Sequence, residues 1–578
     1  MPESSEKIFT GIPASPGISI SIAYTYSRGK ILVNPSEQSE KDIENELLDF
    51  EKAIELSLKE LKKIYKISQE RIGEEKSRIF DAQIEILNDT HFLESVKKRI
   101  ITERRTASYI FNDEIKKLEN ILLATGDDYL TERLTDIRDV NNRVLRNMKR
   151  EKLVSKVEEN SIIVAHELTP ADTILFSRRK VQGYVTDVGG VTSHAAIIAR
   201  ALRVPAILGT KYVSDYIKNG EFIIADGFEG IVISNPSHKT IEKYQEKLKE
   251  VKAYEKKLFE IIDLPNETLD GKKINLSANI EFDEEIDFVT KYGHCDIGLY
   301  RTEHLFLEAG DFPSEEYQVE EYCHIADVTY PNSVTIRTYD IGGDKLLPSS
   351  QKEDNPNLGW RGIRICLDRV EIFKEQLCAI LKSSAKKNIK VLFPMISSVE
   401  EIRKAKKVLD EAKAELKKEN VNFDKNIKVG VMIEVPSAYF LADAFAKEVD
   451  FFSIGTNDLI QYILAVDRGN ERISQLYQEF HPAVIRALDK IIRIAHKNKI
   501  PVSVCGEMAS YKLASIVLIG MGADELSVTP SEFTEIKNII RSIKYKDAKK
   551  LVEEILELDT EEEIRQKVNK YYNKTFKK

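Results

Sequence analysis

The C-terminal half of the chain repeats one short rhythm that few folds accommodate. Apolar runs ending in polar or charged residues recur eight times, with helical stretches between them: 274–279, 297–301, 334–337, 391–394, 429–434, 451–458, 502–505 and 525–527. Strands alternating with helical patterns build parallel βαβ units, and eight of them predict a closed (β/α)8, or TIM, barrel. In that fold functional groups gather at the C-terminal ends of the strands. Here those ends carry Arg301, Arg337, Glu434, Asn457, Asp458 and Cys505. Barrel interiors favour branched apolar side chains, so polar groups at one rim point to chemistry.

The N-terminal half has a different texture. From Ile8 to Tyr26, short apolar runs alternate with Gly11, Pro13, Pro16 and Gly17, which reads as strand and turn. No proline occurs between Pro35 and Pro170, and only Gly73 and Gly126 interrupt that span. Within it Ile43, Leu47, Phe50, Ile54, Leu58, Leu61 and Ile64 recur at steps of three and four, one face of a helix. Short strands return at 162–165, 183–186, 206–208, 222–225 and 231–233. We therefore expect a multidomain α/β chain whose first α/β domain, residues 1–36 and 151–236, is interrupted by a helical insert over 37–150. Ile241, Tyr244, Leu248, Val251, Leu258 and Ile261 mark a charged connecting helix within 237–263, ahead of the barrel of 264–578.

Composition narrows the class. A net charge of −9 argues against nucleic acid or an anionic membrane as the main partner, so an anionic substrate needs a local basic pocket. No apolar run reaches the roughly 18 residues of a membrane span. We expect no leader ahead of Ile8, and the five cysteines lack zinc spacing. Reduced thiols in a cytoplasmic protein are the expectation. Cys295, Cys323, Cys366 and Cys378 read as packing residues.

Two places carry chemistry. Gly189-Gly190-Val191-Thr192-Ser193-His194 is a glycine turn followed by a capping hydroxyl, Thr192 or Ser193, and a small apolar run. His194 is thereby expected in the first turn of a helix. Free amides and the positive end of the dipole there attract anions and favour a neutral, nucleophilic imidazole. At the barrel rim, Arg301 and Arg337 can each grip a phosphate or carboxylate in a fork, and Arg468 can add a third. Glu434 and Asp458 are hard oxygen donors suited to Mg²⁺, expected as ligands rather than as partners of those arginines. Lys345 follows a glycine loop that can approach a phosphate. Cys505, a thiol of ordinary pKa, can protonate a carbanion-like carbon.

With these residues in place, the chain resembles the Enzyme I family of the phosphoenolpyruvate-dependent sugar phosphotransferase system. Residues 189–200 are similar to the family's phosphohistidine signature, and 451–462 with 464–470 to its second signature. Residues 299–303, 337–345, 355–361 and 505–508 match as well, in order along nearly the whole chain from Gly11 onward. The resemblance implies Mg²⁺-dependent transfer of the phosphoryl group from phosphoenolpyruvate to His194, then to a histidine of the phosphocarrier HPr. Pyruvate is released, and the reaction is the first step of sugar uptake.

It makes His194 the nucleophile and Arg301, Arg337, Asn457, Asp458 and Arg468 the phosphoenolpyruvate contacts. Glu434 and Asp458 become the Mg²⁺ ligands and Cys505 the proton donor. It also implies that the helical insert docks HPr, through a hairpin over 73–89, and that the barrel domain forms a homodimer. The phosphohistidine domain is expected to swing between barrel and HPr on the helix at 237–263. Either signature alone also fits pyruvate phosphate dikinase and phosphoenolpyruvate synthase, which carry a large nucleotide-binding domain first. The short stretch ahead of Gly11 leads us to expect none. Glu85, His304 and Ser510 depart from the family's usual residues.

Overall fold

The computed structural model describes residues 6–27, 33, 35–72, 80–125, 128–149, 158–190, 193–202, 204–281, 285–286, 295–309, 311–342, 353, 355–468, 470 and 473–576. The chain divides into two compact units, Met1–Lys252 and Ala253–Lys578.

The first unit is built on an eight-stranded sheet. Its strands are β1 (Lys7–Thr10), β2 (Ile12–Ser15), β3 (Ile18–Tyr26), β4 (Ile162–Ala165), β5 (Gly183–Thr186), β6 (Ala206–Leu208), β7 (Phe222–Asp226) and β8 (Ile231–Ser234), in the order β1-β8-β7-β3-β4-β5-β6-β2. The centre, β3 to β6, is parallel, and antiparallel strands flank it. Both faces of β4 are buried, because side chains alternate across a strand. Ile163 and Ala165 pack with Tyr184, Ala196, Ala199 and Leu208, while Ile162 and Val164 pack with Val185, Ile207 and Ile223 on the other face.

Between β3 and β4 the described residues form the helices Glu40–Ile72, Asp81–Asn88, Thr90–Glu103, Ala107–Thr125 and Asp128–Met148. Ile43, Phe50, Ile54, Leu61 and Ile64 of the expected stripe lie in their shared core, with Leu47 and Leu58 packed against it. That core also takes in Ala171, Ile174 and Ile198, which belong to the helices Pro170–Ser177 and His194–Ala201 lying against the sheet. The helical segment thus braces the element that begins at His194.

In the second unit β9 (Asn275–Ile280), β10 (Asp296–Tyr300), β11 (Val334–Arg337), β12 (Ile389–Phe393), β13 (Lys428–Ile433), β14 (Phe451–Ile454), β15 (Val502–Val504) and β16 (Glu525–Val528) close into an all-parallel barrel. Every strand pairs with the next, and β16 pairs with β9. All C-terminal strand ends therefore share one rim.

One expected strand is cut short. The run 451–458 is a strand only to Ile454; Gly455 turns the chain and a helix, Thr456–Leu464, begins. Asn457 and Asp458 therefore sit in the first turn of a helix, where amides favour anionic groups. Arg301, Glu434 and Cys505 each stand one residue beyond their strands. The charged helix spans His238–Glu260 and contains the boundary between the units. Among the described residues, no helix is long and apolar enough to cross a membrane.

Candidate functional site

In the first unit, the loop after β5 is tied down by one carboxylate. Asp187 is buried and accepts hydrogen bonds from Thr210 Oγ1 (3.2 Å), the Ser214 amide (3.0 Å) and the Ser214 hydroxyl, with His166 Nδ1 3.3 Å away. Gly189 has φ 114°, a conformation that L side chains rarely adopt, so the turn requires glycine there. Ser193, not Thr192, is the helix cap that can be assigned: its Oγ accepts the Ala196 amide at 3.3 Å. His194 is the first residue of the helix His194–Ala201. Arg200 Nη1 donates to Ala14 O at 2.9 Å, which ties that helix to β2. The His194 side chain, with Val191 and Thr192, lies outside the described residues.

At the barrel rim, arginines and carboxylates interlock. Arg337, ending β11 and 5% exposed, pairs with Glu303 (3.0 Å) and Asp340 (3.2 Å). Arg361 grips two carboxylates at once. Its Nε and Nη2 donate to Asp340 at 2.9 Å each, and its Nη1 and Nη2 donate to Asp458 at 3.0 and 3.2 Å. Burial alone would lower both guanidinium groups, but Asp340 with Glu303 or Asp458 outweighs it, so both are raised above the ordinary arginine value. Asp458 is thus an arginine partner after all, though of Arg361 and not of the three arginines singled out in the sequence. The buried Nε atoms of Arg301 and Arg337 have no hydrogen-bond partner among the described residues, a cost that a bound anion would relieve.

The other two arginines are more open. Arg301 Nη1 lies 2.6 Å from Glu281 Oε2. Arg468 Nη1 lies 3.5 Å from Glu507 Oε1, the same oxygen that accepts Asn457 Nδ2 at 2.9 Å. The Glu507 amide in turn donates to Asn457 Oδ1 at 2.9 Å.

Glu434 is 1% exposed, and its Oε1 accepts the Met395 amide at 2.6 Å. Burial, then the charges of Asp458 and Asp340, push its carboxyl up to about 8, with Arg337 and Arg361 pulling the other way. A buried carboxylate crowded by like charge fits a site for a divalent cation. Among the described residues no three His, Cys, Asp or Glu side chains gather to hold one, so Glu434 and Asp458 would need oxygens from substrate or water, as Mg²⁺ commonly takes.

Cys505 is 2% exposed and packs with Leu299, Leu392, Met432 and Phe451 inside the barrel mouth. Burial pushes its thiol up to about 11, although the Ser453 hydroxyl, 3.2 Å from Sγ, pulls it down. The backbone beside it is fixed as well, since Asn279 Nδ2 donates to Cys505 O at 2.9 Å.

The rim therefore brings together Arg337, Asp458 and Glu434 around Arg361 and Asp340, with Asn457 and Arg468 joined through Glu507. Sequence reasoning assigned no role to Arg361, Asp340, Glu303 or Glu507. Lys345 falls outside the described residues, as do residues 73–79 of the expected docking hairpin. His304 is buried, with Nε2 3.2 Å from Tyr300 OH and Nδ1 3.0 Å from Arg301 O; it joins a strand end to a helix. Ser510 Oγ accepts the Thr529 amide at 2.9 Å, and Glu85 is exposed.

Comparison with known proteins covers both units. Residues 10–133 match the N-terminal domain of phosphoenolpyruvate-utilising enzymes, 157–230 their mobile domain and 255–545 their phosphoenolpyruvate-binding domain. The chain is 39% identical over 562 residues to the phosphoenolpyruvate-protein phosphotransferase of Priestia megaterium, covering 96% of this chain and 98% of that one. It is 40% identical over 558 residues to that of Bacillus subtilis (strain 168), with the same coverage of both. An NMR solution structure of Enzyme I (nEIt), 39% identical, covers 42% of this chain and 99% of its own, at a TM-score of 0.39.

Proposed function

The chain belongs to the family of phosphoenolpyruvate-protein phosphotransferases, and from this we propose that His194 takes the phosphoryl group of phosphoenolpyruvate and passes it to a histidine of HPr. The observation that carries the assignment of residues is the rim itself. Arg337, Arg361, Glu434, Asp458 and a protonated Cys505 meet at one end of a closed barrel.

Arg301, Arg337, Arg361, Asn457 and Arg468 hold the phosphate and carboxylate, and the guanidinium groups offset the charge that develops on the enolate. Glu434 and Asp458 would hold Mg²⁺, which when bound supplies further neutralisation of that charge. The Nε2 of His194 forms a bond to phosphorus as the bond from phosphorus to the enol oxygen breaks, and that electron pair stays on the oxygen. Cys505 gives its proton to the methylene carbon, yielding pyruvate, and the thiolate recovers a proton from solvent. His194 and the rim belong to different units, and we assign to the first unit the task of carrying the imidazole to the bound phosphate. The helix His238–Glu260 is the hinge we assign to that motion, and the barrel is the surface we assign to dimerisation.

Pyruvate release from phosphoenolpyruvate tests this reading. With Mg²⁺ and excess HPr, release runs on until the HPr is phosphorylated; without HPr it stops near one pyruvate per chain; in chelator it is absent. Release that HPr does not stimulate would contradict the proposal.

A further inference from the structure

The four rim arginines fall into two classes by the company they keep. Arg337 and Arg361 pair with carboxylates that are themselves buried: Glu303, Asp340 and Asp458 are at most 15% exposed. Arg301 and Arg468 pair instead with open ones. The side chains of Arg301 and Glu281 are 28% and 47% exposed, and those of Arg468 and Glu507 are 47% and 75% exposed. Buried, multiply bonded pairs form a fixed framework, since removing one partner strands a charge. Exposed single contacts are weak and screened, and exchange readily for a better anion.

Resting on the reading that Arg301 and Arg468 bind substrate, we propose that Glu281 and Glu507 are counter-carboxylates that the substrate displaces, and that they set which anions the pocket accepts. Each places a single negative group against one nitrogen of a guanidinium fork. A ligand gains by exchange only if it brings more charge or more lone pairs to the fork than the carboxylate it replaces. Phosphoenolpyruvate, with a phosphate and a carboxylate on one small frame, can meet that demand at two forks. Inorganic phosphate, a single group, can meet it at one. Glu507 has a second task, because its Oε1 and amide hold both ends of the Asn457 side chain. A glutamine there keeps an acceptor for Asn457 and removes only the charge, which separates the two tasks.

The test uses the full-length enzyme with Mg²⁺ and HPr, varying phosphoenolpyruvate, with inorganic phosphate as competing anion. Glu281→Gln and Glu507→Gln should each lower KM about two- to fivefold, with smaller changes in kcat. The double variant should lower KM further, and inhibition by phosphate should tighten in the same order. Glu448→Gln, which breaks a pair with Arg403 that includes none of the rim residues named above, should leave both constants where they are. Single variants whose KM is unchanged or raised overturn the proposal, as does a Glu507→Gln that loses kcat alone. Arg301→Lys and Arg468→Lys distinguish the two levels. If they raise KM while the glutamine variants do not lower it, only the counter-carboxylate role falls. If they leave KM alone, the substrate-binding reading falls with it.

Discussion

A thiol pushed up to about 11 keeps its proton until the pH nears that value, which is what a proton donor working at neutral pH requires. At pH 8 such a group is thiolate in roughly one molecule in a thousand. Iodoacetamide should therefore modify Cys505 more than tenfold more slowly in the folded protein than in urea at pH 8, the rate climbing as pH approaches 11. Cys505→Ala should still exchange phosphate with phosphoenolpyruvate while releasing pyruvate at under about a tenth of the normal rate. Full pyruvate release would remove Cys505 from the reaction.

The rim address of Cys505, Arg337 and Glu434 was legible in the sequence, because an apolar run ending in such a residue has one place to go in a parallel barrel. Arg361 was not. It follows no strand, and its partners Asp340 and Asp458 lie 21 and 97 residues away. The one local hint is Gly362, whose φ of 60° marks a backbone turn beside a buried arginine.

The elements around Cys505 are held by close backbone approach. A Cβ on Gly506 would lie 1.9 Å from Thr456 Oγ1 and 2.7 Å from Thr456 N, and the second of these is main chain that cannot rotate aside. Gly506→Ala should cost about 1–3 kcal/mol of stability in urea denaturation and lower pyruvate release by shifting the Cys505 loop. A variant with unchanged stability and activity would show that the approach is looser than described.

The same close approach recurs where the expected strand 451–458 ends early, at Ile454. A Cβ on Gly455 would lie 2.8 Å from Glu434 Oε2, so glycine fits the position at which the strand ends and the helix Thr456–Leu464 begins. The eight-strand rhythm was strong enough to give the barrel, but the residue that ends each strand depends on neighbours remote in sequence.

At the scale of the molecule, the proposed reaction divides between two compact units. The unit Met1–Lys252 contains His194 at a helix start, capped by Ser193 and braced through Ile198 by the helical segment. The unit Ala253–Lys578 contains the arginine and carboxylate rim and the protonated thiol. Neither half accounts for the reaction alone. On the reading proposed above, the rim holds and polarises the phosphorylated enol, and His194 at the helix start supplies the nucleophile for phosphorus. Mixing the full-length protein with phosphoenolpyruvate carrying labelled phosphate measures whether the halves act together. The account predicts an acid-labile label that appears with Mg²⁺, disappears in chelator and is absent from His194→Ala; labelling of His194→Ala at the level of the unaltered protein would contradict it.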